Sequence, residues 1–303
     1  MQTLRIGLAV AFLALGVVAC SAGAPKPSTA SSQRRAGPVE LTYLGAAGWQ
    51  LRAGPRVLLV DPYFSGAPVD DEALPLSPNA ALIAEYSPPR ADAVLVSHSH
   101  YDHLLDVPDV AKRTGAPIVG TSSTLNVARA AGLPEGQLVL ARVGETRAFG
   151  HFSVHALRGL HSPTGQSNAQ IPPGVTLPMS ASVYAEGDTL QFVVRVEART
   201  VLFISSANFI ESELDGVRPD VAVVAVALRE KIPNYSCTLM RVLGNPALVL
   251  ANHFDAHWEP LGAAQLAISP EARKSLAQFA AEVHACAPAT RVVVPTHFRG
   301  ISI

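Results

Sequence analysis

No block of lysine or arginine interrupts this 303-residue chain, cysteine occurs three times, and no apolar run is long enough for a comfortable membrane span. Lys and Arg total 23 against 24 Asp and Glu, a formal net charge of -1. The basic stripe on which nucleic-acid binding rests is missing, which argues against a nucleic-acid partner. The most apolar stretch, residues 6–18, falls short of the roughly 20 residues that cross a bilayer. No internal repeat is visible. What the chain does have is apolar content: 49% of its residues are hydrophobic, enough for one large layered domain with a buried core.

The apolar stretch follows a short start containing Arg5 and ends in the small Ala19 before Cys20, the build of a secretory signal peptide. Val17-Val18-Ala19-Cys20 resembles the bacterial lipobox, although Leu is commoner where Val17 stands. The resemblance implies a lipoprotein signal peptide over residues 1–20 and lipidation of Cys20. With Ser21 next, it implies a lipid anchor in the outer membrane, facing the periplasm, in a Gram-negative host. An ordinary cleaved signal or a retained N-terminal anchor is the alternative. Residues 21–38 are small, polar and Pro-rich and read as a flexible tether, leaving 39–303 as the folded domain. Once Cys20 is acylated, Cys237 and Cys286 remain, either as a disulfide in an oxidising compartment or as two buried thiols.

Within the folded part, β-branched apolar runs at 39–44 and 56–60 read as antiparallel strands, separated by the Gly-rich turn Gly45 to Gly48 and by Ala53-Gly54-Pro55. Further strands are expected at 91–97, 118–119, 137–143, 152–157, 190–196 and 201–205. Continuous apolar runs at 221–227 and 247–251 suit strands covered on both faces. Helical periodicity marks 107–114, 122–131 and 270–285. Strands first, then strands alternating with helices, give an α/β (α+β) class with two packed sheets and helices outside. Residues 161–182 form a long aperiodic loop, expected to be a substrate-facing lid.

The strand at 91–97 runs into His98-Ser-His100-Tyr-Asp102-His103, three imidazoles and a carboxylate within six residues. Imidazole nitrogen and carboxylate oxygen are donors that zinc accepts, as manganese and iron also do. The H-x-H-x-D-H pattern resembles the signature of the metallo-β-lactamase superfamily, and the resemblance extends over Val39 to about Leu261. The nearest group by the turn Gly45-Ala-Ala-Gly48 and the ending Asp61-Pro62 contains the ascorbate-6-phosphate lactonase and the N-acyl-phosphatidylethanolamine phospholipase D.

That resemblance implies a four-layer αββα sandwich and one or two zinc ions. Residue by residue, it makes His98, His100 and His161 ligands of one metal and Asp102, His103 and His253 ligands of the other. His151 and His155 compete with His161, and His297, after a similar apolar run, competes with His253. One family ligand is missing: Ser206 stands where a bridging Asp is usual, which weakens the expectation of a dinuclear centre.

The implied function is hydrolysis of an ester, lactone, amide or phosphodiester by a metal-bound hydroxide, with Asp102 as the catalytic residue that orients it and takes its proton. Asp255 and His257, read as exposed loop residues, are candidates for orienting a ligand or protonating a leaving group. Tyr63, Tyr101, Trp49 and Trp258 are either pocket or core aromatics. Arg90, Glu230 and Lys231 read as solvated charges. The expected partners are a small-molecule or lipid substrate and, through the anchor, a membrane. A non-catalytic metal- or ligand-binding envelope lipoprotein is the rival reading.

Overall fold

In the computed structural model, the residues described are Gln2, 37–67, 73–165, 168–259, 261 and 268–303. Cys20, the expected signal peptide apart from Gln2, and all but the end of the expected tether lie outside them. Two seven-stranded sheets carry the domain. The first is built by β1 (Val39–Gly45), β2 (Gly48–Ala53), β3 (Arg56–Val60), β4 (Ala93–Leu95), β5 (Ile118–Gly120), β6 (Leu138–Leu140) and the C-terminal β14 (Gly300–Ser302). The second holds β7 (Thr146–Phe149), β8 (Phe152–Arg158), β9 (Leu190–Val196), β10 (Arg199–Ile204), β11 (Val221–Ala225), β12 (Leu248–Asn252) and β13 (Arg291–Val293). Their orders are β14-β1-β2-β3-β4-β5-β6 and β13-β12-β11-β10-β9-β8-β7. Each begins in antiparallel hairpins and continues in parallel pairs.

The sheets face each other across a core that includes the fully buried Leu51, Leu58, Phe152, Phe192 and Phe203. Outside the first sheet lie α1 (Ala80–Tyr86), α2 (Tyr101–Leu104), α3 (Val107–Thr114) and α4 (Ser122–Ala130). Outside the second lie α5 (Tyr235–Leu243) and α6 (Pro270–Cys286). Leu104, Val110 and Leu125 pack on the first sheet, and Leu239, Phe279 and Val283 on the second. This is the four-layer αββα sandwich. Strands β11 and β12 are buried at every position, as parallel strands covered on both faces must be, and that explains their unbroken apolar sequence. Helix α4 starts where Thr121 accepts from the Thr124 amide, and α3 stops where Gly115 takes a left-handed conformation.

Several boundaries depart from the sequence pattern. Strand β4 covers Ala93–Leu95 rather than 91–97, because the Ser97 amide donates to the Asp61 carboxylate instead of to a neighbouring strand. Strands β2 and β7 carry too little apolar sequence to stand out, yet each pairs as a hairpin arm. The loop expected to be a lid, 161–182, is described apart from 166–167 and is tied to the domain at Ile171 and Met179. Its Ile171 amide donates to Ser123 Oγ, its Ile171 carbonyl accepts from Asn126, and its Met179 carbonyl accepts from Leu76. Cys237 and Cys286 are a disulfide that joins α5 to α6, Cα to Cα 5.6 Å. Among the described residues, no helix is long and apolar enough to cross a membrane.

Candidate metal centre

Strands β4, β8, β10 and β12 all end at one edge of the sandwich, and each delivers polar residues there. Beyond β4 come His98 and His100, then the single turn of α2 with Asp102 and His103. Beyond β8 comes His161, beyond β10 Ser206, and beyond β12 His253. Strand ends at such an edge are where α/β folds place ligands, because the backbone diverges there and leaves a crevice.

The structure brings the six expected ligands into two triads. His98, His100 and His161 form one, and Asp102, His103 and His253 the other; within each, the donor atoms lie within 4.8 Å of one another. The rings of His98 and His103, which belong to different triads, are 3.8 Å apart between centroids. Asp102 Oδ2 is 3.1 Å from His253 Nε2 and 3.5 Å from His103 Nε2.

In three of the imidazoles, hydrogen bonds fix which nitrogen is free. Ser97 Oγ donates to Asp61 Oδ2 at 2.7 Å, so it can only accept from His98 Nδ1, 3.1 Å away. His98 Nε2 is then a buried atom without a hydrogen-bond partner. Such an orphan is costly unless something electropositive meets it, and a cation held with His100 and His161 does so. His161 Nδ1 donates to the Ser162 carbonyl at 2.8 Å, and His103 Nδ1 to Asp61 Oδ2 at 3.2 Å. In both rings Nε2 remains for a metal. The donor set and the orphan together fit a divalent cation.

Electrostatics agrees. Burial holds His98 well below its ordinary pKa, and it lowers His100 to about 4 and His161 to about 3, so these imidazoles are neutral with lone pairs available. Burial opposes the charge of Asp102, but His103, His257 and His253 outweigh it and hold the carboxyl well below its usual range. Burial also opposes a charged His103, and Asp102 and Asp61 overcome it to raise its pKa.

His297 lies apart from the triads: its Nε2 bonds Asp255 Oδ2 at 2.7 Å. Contrary to the expectation of an exposed loop residue, Asp255 is buried, and it also accepts from the Ala46 amide at 3.0 and 3.1 Å. The Ala46 carbonyl in turn accepts from the His253 amide. Asp255 therefore clamps the first hairpin to the loop that carries His253. The turn of that hairpin closes beside Asp61 because position 48 is glycine: a Cβ there would lie 2.9 Å from the Gly45 carbonyl and 3.1 Å from that of Asp61. His257 is also not exposed, and its Nε2 lies 3.7 Å from Asp102 Oδ2. His151 sits in the β7–β8 turn and His155 bonds Thr146, away from both triads.

Ser206 Oγ accepts from the Ser162 amide at 2.9 Å and lies 3.0 Å from Ser162 Oγ, on the His161 side of the centre. A cavity of about 600 Å³ opens over the triads, with Tyr101, Tyr184 and Trp258 in its walls. Trp49 and Tyr63 are core residues: the indole donates to Asn252, and the phenol oxygen accepts from the Ala67 amide. Arg90, Glu230 and Lys231 do not line the cavity. The supporting role of Asp61 escaped the sequence reading, although an Asp-Pro ending one strand beside a metal motif was the available signal.

Comparison with known proteins gives the fold a lineage. A sequence profile for the family described as "Beta-lactamase superfamily domain" matches residues 56–298. A "UPF0173 metal-dependent hydrolase" of Pyrobaculum islandicum is 33% identical over 154 residues, 50% of this chain and 62% of that protein. One of Myxococcus xanthus is 28% identical over 200 residues, 61% and 66%. The matches thus span less than two thirds of these relatives. Among solved structures, Igni18, a metallo hydrolase from Ignicoccus hospitalis, superposes with a TM-score of 0.60 at 16% identity, covering 88% of this chain and 98% of that one. CmlA, a diiron beta-hydroxylase from Streptomyces venezuelae, gives 0.59 at 18%, covering 89% and 55%; at such identities the likeness is one of fold. With two packed sheets, a histidine-rich motif at their shared edge and a family profile matched over most of its length, the chain belongs to the beta-lactamase superfamily domain family.

Proposed function

We propose that this chain is a metal-dependent hydrolase acting on an ester, lactone, amide or phosphodiester bond, with one or two zinc ions as its resident metal and manganese or iron as alternatives. The observation that carries the reading is the convergence of two ligand triads on one cavity. The names of the relatives support it, and the diiron neighbour supports keeping iron open. When bound, the metal supplies Lewis acidity and acidifies water to a pKa of about 7. The side chains do the rest. His98, His100 and His161 hold one cation as neutral donors, and Asp102, His103 and His253 hold the second. Asp102 orients the attacking water and accepts its proton, and His257 stands beside it to pass that proton towards the leaving group. The first hairpin's turn and Asp61-Pro62 support a place near the lactonase and phospholipase D group.

Incubating the full chain with lactones, esters, anilides and phosphodiesters, with and without chelator, tests the proposal. Turnover of one class, abolished by chelator and restored by Zn²⁺ or Mn²⁺, is expected. Metal binding without turnover of any class would leave the second reading, a non-catalytic metal- or ligand-binding envelope lipoprotein, which Ser206 in the bridging position favours.

A lipid anchor on Cys20, in the outer membrane and facing the periplasm, belongs to the same proposal. The disulfide between α5 and α6 supports an oxidising compartment. Cys20→Ser is expected to move the protein from the membrane to the soluble fraction with its fold intact; a variant that still pellets with membranes in high salt counts against lipidation.

A further inference from the structure

The cavity above the triads is poor in charge. Away from the metal ligands its wall includes Ala207, Ala225, Ala227 and Leu228 from the ends of β10 and β11, Tyr101 of α2 and Trp258 beyond β12, with serine and threonine hydroxyls and His257 beside them. Among the described residues neither lysine nor arginine lines it, although the chain holds 23 of them. The basic residues that follow Leu228 are held by hydrogen bonds and do not line the cavity. Arg229 follows Leu228 but is buried against Glu282 and Ser275, and Lys231 donates to the Pro163 carbonyl at 3.2 Å. The one carboxylate among the described lining residues, Asp102, belongs to a ligand triad, so beyond the metal centre the described wall carries no formal charge.

Sites that select phosphate or carboxylate groups surround them with guanidinium, ammonium or clustered amide donors. This wall offers methyl groups, aromatic faces and hydroxyls in a volume of about 600 Å³, the size of a small-molecule pocket. Resting on the hydrolase reading above, we propose that the substrate is an uncharged acyl compound, an ester, lactone or amide, whose apolar substituent lies against the alanine, leucine and tryptophan wall.

One water is consumed in the reaction. Its oxygen bonds to the acyl carbon, the bond from that carbon to the alkoxy oxygen or amide nitrogen breaks, and one of the water's protons goes to the departing atom. The other product is a carboxylic acid, which ionises. The described wall, without lysine or arginine, offers that carboxylate no ion pair.

The test uses the full, metal-loaded chain. Alkyl lactones and p-nitrophenyl alkanoates of increasing chain length are compared with an alkyl anilide, bis(p-nitrophenyl) phosphate and p-nitrophenyl phosphate. Expected is a kcat/KM for the acyl series that rises about three- to fourfold per methylene until the cavity is filled, with both phosphates at least about 100-fold slower than the best of that series. Ala227 is exposed, so Ala227→Arg should fold; it is expected to lose at least about tenfold on the long acyl substrates and to gain on bis(p-nitrophenyl) phosphate. Binding is read separately with octan-2-one, which cannot be hydrolysed. The chain has two tryptophans, and Trp49 is fully buried, so a change in emission that disappears in Trp258→Phe reports filling of the cavity, with or without metal. A phosphate ester cleaved as well as the best acyl substrate, or no change of Trp258 emission with the ketone, overturns this inference and leaves the hydrolase reading standing. No turnover of any class by the metal-loaded chain overturns both.

Discussion

The two ligand triads lie side by side but are supported in different ways. Behind Asp102, His103 and His253 stand two buried carboxylates. Asp61 accepts from His103 and Ser97, and Asp255 locks the His253 loop to the first hairpin; a third buried carboxylate, Asp106, bonds no ligand and accepts from the Phe64 and Ser65 amides and the Ser65 hydroxyl at 2.6, 2.8 and 2.5 Å. Behind His98, His100 and His161 stand only hydroxyls and carbonyls, chiefly Ser97 Oγ and the Ser162 carbonyl. Among the described residues, no carboxylate pairs with any of those three imidazoles. The negative charge that offsets a divalent cation is thus gathered on one side. A carboxylate ligand, together with a carboxylate behind a ligating histidine, strengthens metal binding, so the Asp102 triad should bind its cation more tightly at neutral pH than the all-histidine triad.

The most damaging changes remove a ligand. His103→Ala and His253→Ala are each expected to lose about one metal per chain and at least 100-fold in activity, since two remaining donors cannot close a site that needs three. His297→Ala should keep its metal, because that ring bonds Asp255 and lies outside both triads. Elemental analysis of the three purified variants decides the matter, and metal lost in His297→Ala alone would reverse the assignment. Next in size is Asp61→Asn. It leaves every ligand in place but weakens the acceptor that orients His103, so affinity at the carboxylate triad should fall by about 10- to 100-fold while the other triad is unchanged. Calorimetric titration of apoprotein with Zn²⁺ separates the two steps, and an equal loss at both would erase the proposed asymmetry.

The comparison also marks how far sequence alone reaches. His98 to His103 were legible because all four donors fall within one strand end and one helical turn, and His161 and His253 because each follows an apolar strand. The supports were not legible, because they join distant segments. Asp61 meets His103 across 42 residues, and Asp255 meets Ala46 across 209. Such contacts arise only when two sheets bring hairpin ends together, and a short polar-looking arm such as β2 gives little warning of it. The same holds for the cysteines, whose pairing depends on α6 lying against α5.

Acid should move Asp106 and the all-histidine triad in opposite directions. Burial raises the Asp106 pKa to about 6, against the opposing effect of the Ser65 and Phe64 donors. Its unfolded value is about 3.9, so the folded state holds the extra proton between those two values. This contribution to stability is fully present below pH 4 and is lost as pH rises through 6. The neutral triad does the reverse. Its histidines have lowered folded pKa values, so they contribute stability above about pH 6.5 that is lost as pH falls towards their values near 3 and 4. Comparing apoprotein with Asp106→Asn cancels the histidine effect. The variant should gain about 2 kcal/mol on the unaltered protein between pH 4 and pH 7, measured by denaturant unfolding in chelator; a constant difference across that range would mean that Asp106 stays ionised throughout.

The smallest effect expected is a gain, and it tests the asymmetry from the weaker side. Ser206 already accepts a hydrogen bond from the Ser162 amide and sits beside the His161 loop, so an aspartate there can keep that bond and add a charge next to the all-histidine triad. Attraction between a carboxylate and a divalent cation at such short range exceeds the cost of burying the carboxylate only when the cation is present. Ser206→Asp should therefore be slightly less stable as apoprotein, yet bind its second metal about tenfold more tightly, which raises occupancy as purified towards two metals per chain. In the unaltered protein the same titration should show two unequal steps, with the weaker one at the triad that lacks a carboxylate. Two equally tight sites before substitution, with no gain after it, would show that hydroxyls and carbonyls support a dication as well as carboxylates do here, and would remove Ser206 as the reason for any difference between the triads.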